Sequence, residues 1–171
     1  QLGFRQRHQI SSQDKVIGLF AGSRLQEIKR LLPLVVQSAE QLVKKVPAAR
    51  FFMPISSRDL ENLVLPLLAQ SKANIEVIPF QDRYDLMANA HAALAVSGTV
   101  TLELSIMEVP MVIIYAVAPL SYWIARRLLN IKLRHIGLPN IVADMQVVPE
   151  LIQKKANPSA VVAELSDLLA D

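Results

Sequence analysis

Apolar residues recur along this chain with two different periods, and the switching between them predicts its elements. Val16-Ile17-Gly18-Leu19-Phe20 is a continuous apolar run that stops at the turn Ala21-Gly22-Ser23, as a strand buried on both faces does. Beyond it Ile28, Leu32, Val35, Ala39, Leu42 and Val46 recur at spacings of three and four, one face of a helix, with Pro33 predicting a kink or a restart. Residues 50–54 predict a second strand, and Ser57 is placed to cap a helix reaching about residue 70. A third strand over 75–78 closes at Pro79, a short helix follows over 82–90, and a fourth strand covers 92–96. Ser97-Gly98-Thr99 then interrupts, before a helix over 101–107, a fifth strand over 111–115 and a helix from Pro119 through 129. Two short helices, about 148–154 and 159–170, end the chain, with Pro158 in the first turn of the second.

Strand and helix alternate at least five times, and the strands are apolar on both faces. That order calls for a parallel sheet with helices on each side, an α/β fold of the Rossmann-like, doubly wound kind. A length of 171 residues suits one domain and is short for a closed eight-fold barrel. Residues 1–14 read as a linker remnant and residues 15–171 as the domain. Gln1 is no initiator methionine and no signal peptide follows it, so the chain is expected to be part of something longer. The uncharged run 109–125 is broken by Pro110 and Pro119, too short and too interrupted to span a bilayer.

Composition narrows the chemistry. A net charge of +3, from 18 basic and 15 acidic residues, is too small an excess to suggest nucleic acid as a partner. The absence of cysteine removes a disulfide scaffold, a thiolate nucleophile and Cys-ligated zinc, and suits the cytoplasm. His8, His91 and His135 lack metal-ligand spacing, so no metal site is expected, and His91 reads as a structural residue ahead of the fourth strand. Asp82 and Asp85 read as a helix cap and a solvated acid. No Gly-x-Ser-x-Gly elbow is present. Trp123, with Ile124, Leu128 and Leu129 beside Arg126, Arg127, Lys132 and Arg134, reads either as core under a basic solvated face or as a membrane-facing stripe.

In an open parallel sheet, ligands sit at the carboxyl ends of the strands where the winding reverses, here between the first and fourth strands. Gly22-Ser23-Arg24 and Ser97-Gly98-Thr99 occupy those two places, each just ahead of a helix. Free amides and the helix dipole attract an anion there, and the Arg24 guanidinium can take two phosphate oxygens at once. The pair points to a diphosphate, although small residues at such turns also serve plain capping. Neither loop is a P-loop or a G-x-G-x-x-G turn. Glu103, one turn into the following helix, is either an acceptor for sugar hydroxyls or a first-turn acid favoured by the dipole.

Five segments occur in order: Gly22-Ser23-Arg24 with Glu27-Ile28, Ser97-Gly98-Thr99 with Thr101-Leu102-Glu103, Pro110-Met111-Val112 leading to Tyr115, Leu138-Pro139-Asn140, and Pro149-Glu150-Leu151-Ile152-Gln153. Together they resemble the C-terminal, nucleotide-binding half of lipid-A-disaccharide synthase, a bacterial glycosyltransferase of the two-lobed GT-B fold. The resemblance implies transfer of 2,3-diacylglucosamine from UDP to 2,3-diacylglucosamine 1-phosphate with inversion, releasing UDP, with no cofactor or metal. It implies that the acceptor site and general base belong to an N-terminal lobe outside this chain, so that the chain alone is inactive. Arg24 would neutralise the departing diphosphate with Ser23 close by, and Ser97, Gly98 and Thr99 would offer amides and hydroxyls to the same phosphates. Glu103 would hold the ribose, Pro79 and Phe80 would border the uracil, and Asn140 would face the donor sugar. The protein would be cytoplasmic, with a peripheral place on the inner membrane as a further expectation. Where the family commonly carries basic residues after the tyrosine and before the proline, this chain has Tyr115-Ala116-Val117-Ala118-Pro119, which removes cationic contacts from that loop. A related GT-B enzyme such as a UDP-sugar 2-epimerase, or a non-catalytic nucleotide-binding module, would share the two phosphate loops.

Overall fold

The computed structural model describes residues 3–116 and 135–170. Six strands, β1 (Lys15–Phe20), β2 (Ala49–Ile55), β3 (Ile75–Pro79), β4 (Ala92–Val96), β5 (Met111–Tyr115) and β6 (Glu150–Ile152), form one sheet in the order β3-β2-β1-β4-β5-β6. Every neighbouring pair is parallel. The chain winds outward from β1 through β2 to β3, then returns to place β4 on the other side of β1. The β1/β4 seam is therefore the reversal expected from the sequence.

Alternate residues of each central strand feed two separate cores, because successive side chains leave opposite faces of a strand. Ile17 and Leu19 of β1, Leu94 of β4 and Val112 and Ile114 of β5 pack on one face with Ile28 and Leu32 of α2 (Leu25–Lys45), Leu60 and Val64 of α3 (Arg58–Leu68), and Val161 and Leu165 of the C-terminal helix Pro158–Ala170. Val16, Phe20, Ala93, Ala95 and Ile113 face the other way, toward Leu86 and Met87 of α4 (Arg83–Met87) and Leu104 of α5 (Val100–Ile106). The long α2 continues through Pro33, so the chain does not restart there.

Two other expectations change. Segment 3–14, read as a linker end, contributes a short helix α1 (Phe4–Arg7), and its Phe4 and Ile10 are buried in the second core. The Phe4 ring meets Phe52 of β2 edge-on, with centroids 5.4 Å apart. Residues 148–154, expected as a helix, form β6 and a 3₁₀ turn at Gln153–Lys155. Glu, Leu, Gln and Lys favour a helix locally, but the open edge of β5 pairs Ile113, Ile114 and Tyr115 with Glu150, Leu151 and Ile152. Edge pairing and burial of Leu151 outweigh that propensity. One further helix, α6 (Leu138–Ala143), precedes β6, and the helix Pro158–Ala170 already described, α7, follows it. The predicted helix over 119–129 and the Trp123 stripe lie outside the described residues. Among the described residues no helix is long and apolar enough to cross a membrane.

Candidate functional site

The site is built from two strand ends and the helices that follow them. After β1, Gly22 turns the chain with φ at +101°, a left-handed conformation that side-chain-bearing residues rarely adopt. Arg24 then occupies the N-cap position of α2 with no side-chain cap. The first amide of this helix to find a carbonyl is that of Ile28, bonded to the Arg24 carbonyl at 3.0 Å. The amides of Leu25, Gln26 and Glu27 thus have no acceptor among the described residues, the usual state of a helix start awaiting an anion. α3 shows the contrast: its Ser57 hydroxyl accepts from the Leu60 amide.

The second corner follows β4. Thr99 stands at the N-cap of α5, again with no side-chain cap, and the first bonded amide is that of Thr101, which donates to the Gly98 carbonyl at 3.1 Å. The Gly98, Thr99 and Val100 amides have no acceptor among the described residues. Ser97 differs from expectation. Its amide donates to Ile114 O at 3.0 Å and its hydroxyl to Ile136 O at 2.9 Å, so its donors tie the loop to β5 and to the segment ahead of α6. That loop offers a ligand its Gly98 and Thr99 amides and the Thr99 hydroxyl, with Ser97 as their anchor.

Both corners open into one cleft of about 290 Å³, whose walls include Gly22, Ser23, Arg24, Gly98, Thr99 and Glu103. The Arg24 side chain is 81% exposed and donates to Glu27 Oε1 at 3.1 Å. An exposed pair three residues apart on a helix contributes well under about 1 kcal/mol, so Glu27 does not lock this guanidinium away from a phosphate. Phe80 forms part of the cleft wall and is 37% exposed, while Pro79 lines a neighbouring cavity with Ile55 and Gln81.

Glu103 carries a partner that the sequence did not reveal. Arg83 Nε donates to Glu103 Oε2 at 3.0 Å, and the same guanidinium lies 4.3 Å from the Phe80 ring centroid. The residues are twenty positions apart, and only the folding of α4 beside α5 joins them. The one sequence hint is the pair of aromatic residues, Phe80 and Tyr84, around Arg83.

Asn140 does not face the cleft. Its side chain is wholly buried: Nδ2 donates to Val148 O at 2.9 Å and Glu150 Oε1 at 2.7 Å, while Oδ1 accepts from the Val147 and Val148 amides at 2.7 and 2.9 Å. With two donors and two acceptor sites all occupied, no capacity remains for a sugar hydroxyl. Its work is to bind α6 to the segment leading into β6. Glu150 assists by accepting the Ile136 and Gly137 amides at 3.0 and 2.9 Å, so the start of α6 already holds an anion of its own.

His91 accepts the Val16 amide at Nδ1, 3.0 Å away, in the structural role expected of it. Burial, with Lys15 and Arg5 adding positive potential, holds its pKa below the ordinary imidazole range. Asp82 and Asp85 both face Arg7 of the N-terminal segment, at 3.7 and 2.9 Å. No group of three or more His, Asp or Glu is arranged for a metal ion among the described residues.

The family model described as lipid-A-disaccharide synthetase matches residues 2–171. The chain belongs to the lipid-A-disaccharide synthase family. The lipid-A-disaccharide synthase of Geobacter sulfurreducens is 47% identical over 158 residues, covering 92% of this chain and 40% of that protein. The Coxiella burnetii lipid-A-disaccharide synthase is 42% identical over 154 residues, covering 90% of this chain and 39% of its own length. The chain thus spans about two-fifths of the family members it matches. In fold it resembles ADP-heptose lps heptosyltransferase II of E. coli, with a TM-score of 0.65 and 17% identity over 97% of this chain and 50% of that one. It also resembles the MnaA–UDP co-structure from S. aureus, with a TM-score of 0.63 and 13% identity over 100% and 40% of the two chains. The fold of this family member is accordingly the Rossmann-like lobe of the GT-B glycosyltransferases.

Proposed function

We propose that this chain is the UDP-sugar-binding lobe of a lipid-A-disaccharide synthase. In the complete enzyme it holds UDP-2,3-diacylglucosamine while the sugar passes to 2,3-diacylglucosamine 1-phosphate, in the cytoplasm at the surface of the inner membrane. The general base and the acceptor site belong to the other lobe, so this polypeptide by itself does not turn over. The observation that carries the reading is the cleft at the β1/β4 seam, where two uncapped helix starts and Arg24 converge.

The chemistry follows from where charge develops. As the bond between the anomeric carbon and the diphosphate breaks, negative charge collects on the departing UDP. Fixed donors that already point at that position stabilise the transition state without reorganising. The α2 and α5 amides, the Thr99 hydroxyl and the Arg24 guanidinium are such donors. Glu103 faces the ribose and the Phe80 ring borders the uracil, so nucleoside and diphosphate are gripped by separate groups. The S. aureus MnaA structure, of the same fold, is itself a UDP complex, which supports the choice of nucleotide.

Titration calorimetry of the chain with UDP tests the proposal. Saturable heat is expected at ligand concentrations up to a few millimolar, with one site per chain, and no heat over that range refutes it.

A further inference from the structure

We propose that Arg83 is a positioning residue that builds the nucleoside half of the cleft, an inference that rests on the nucleotide reading above. Arg83 is not part of the cleft wall, but two residues that are, Glu103 and Phe80, are both held by it. Its Nε donates to Glu103 Oε2 at 3.0 Å and its Nη1 to Phe80 O at 3.4 Å, while its guanidinium carbon lies 4.3 Å from the Phe80 centroid. Tyr84 fixes the cation from its own side, with the ring centroid 4.0 Å away and the hydroxyl accepting from Nη2 at 2.8 Å.

These contacts occupy one guanidinium edge after another, so the planar group has little rotational freedom left. The Arg83 side chain is 19% exposed against 30% for Glu103, which puts the carboxylate on the solvent side of the pair. With Oε2 engaged, Oε1 is the oxygen left to accept from ribose. A glutamate on a helix surface otherwise samples several rotamers, and fixing it before the ligand arrives lowers the entropic cost of binding. The same cation sets the Phe80 ring against which the base lies. Ribose recognition and base contact are therefore one unit, mechanically separate from the diphosphate corners, and Arg83 touches no ligand itself.

The test is calorimetry on the full chain with three ligands: UDP, its 2′,3′-dideoxy analogue and inorganic pyrophosphate. The parent is expected to prefer UDP to the dideoxy analogue. Arg83→Ala is expected to weaken UDP about tenfold, the scale of one charge-assisted hydrogen bond, and to erase most of that preference while leaving pyrophosphate unchanged. In a Glu103→Ala background the same substitution should no longer alter the preference, because the residue it positions is gone. Should Arg83→Ala fail to fold, Arg83→Lys keeps a cation but loses the planar fork, and the same loss of preference is expected. Equal weakening of all three ligands, or a preference that survives the substitution, overturns the role of Arg83 while leaving the nucleotide site standing. A parent that binds UDP without regard to its ribose hydroxyls overturns it as well. A parent that binds no UDP removes the nucleotide reading, and this inference with it.

Discussion

Asn140→Ala separates a buried strut from a ligand contact. The asparagine makes four hydrogen bonds, three to backbone groups of Val147 and Val148 and one to the Glu150 carboxylate. Each neutral bond contributes about 1 kcal/mol, and the one to the carboxylate somewhat more. Val147 is half exposed, so its amide recovers water when the partner is lost. The remaining groups belong to the partly buried Val148 and Glu150 and recover less of that hydration, for a net destabilisation of about 3 kcal/mol. With a urea dependence of about 2 kcal/mol per molar for a chain of this size, the midpoint should fall by about 1.5 M. Asn140→Asp should fall further, since it sets a second carboxylate where the amide now lies 2.7 Å from Glu150 Oε1. Far-UV circular dichroism in urea gives the midpoint, and UDP affinity is measured under conditions where the variant remains folded. A midpoint shift below about 0.3 M, or a large loss of UDP affinity with an unchanged midpoint, would refute the reasoning and return Asn140 to the cleft.

Other outcomes follow from the same geometry. Arg24→Ala should weaken UDP about tenfold and uridine hardly at all, since its contact is with phosphate; parallel losses in calorimetry would contradict that placement. Gly22→Ala forces a Cβ into a turn at φ +101° and to 3.3 Å from Glu27 Oε2, so it should cost about 1 kcal/mol in urea unfolding and weaken UDP several-fold. His91 is held below its ordinary pKa, so its contribution to stability is full above the unfolded imidazole pKa and is lost as pH falls toward the folded value. His91→Gln should therefore show a shallower decline in urea midpoint than the parent between about pH 7 and about pH 5. Identical slopes would show that His91 does not titrate with folding.

The elements most legible in the sequence are those whose pattern repeats. Val16 to Phe20 and Ala92 to Val96 are unbroken apolar runs ending at glycine-containing turns, the pattern of a strand covered on both faces. Once those strands were ordered, the winding placed the two glycine-containing loops side by side. β6 was hidden because three residues are too few to show a period and because pairing with β5, a long-range event, decides its conformation. Phe4 and Ile10 were hidden by the polar residues around them. Asn140 and Arg83 show the other limit. An asparagine in a family motif reads the same whether it meets a sugar or a backbone, and an arginine beside a tyrosine looks like a solvated helix face. Partner identity separates these cases, and partners at such distances along the chain emerge only on folding.

The cleft also has a bearing on how the domain holds together. α2 follows the strand that begins one wing of the sheet, and α5 follows the strand that begins the other, so the two anion-seeking helix starts belong to opposite wings. On the proposed function, a diphosphate seated between them would tie the two wings together above the strand pair where Ile17 through Phe20 adjoin Ala92 through Ala95. At a hundredfold excess over its dissociation constant such a brace adds about 2.7 kcal/mol to the folded state. On that reading, the nucleotide adds to the folded lobe about what one large buried side chain does.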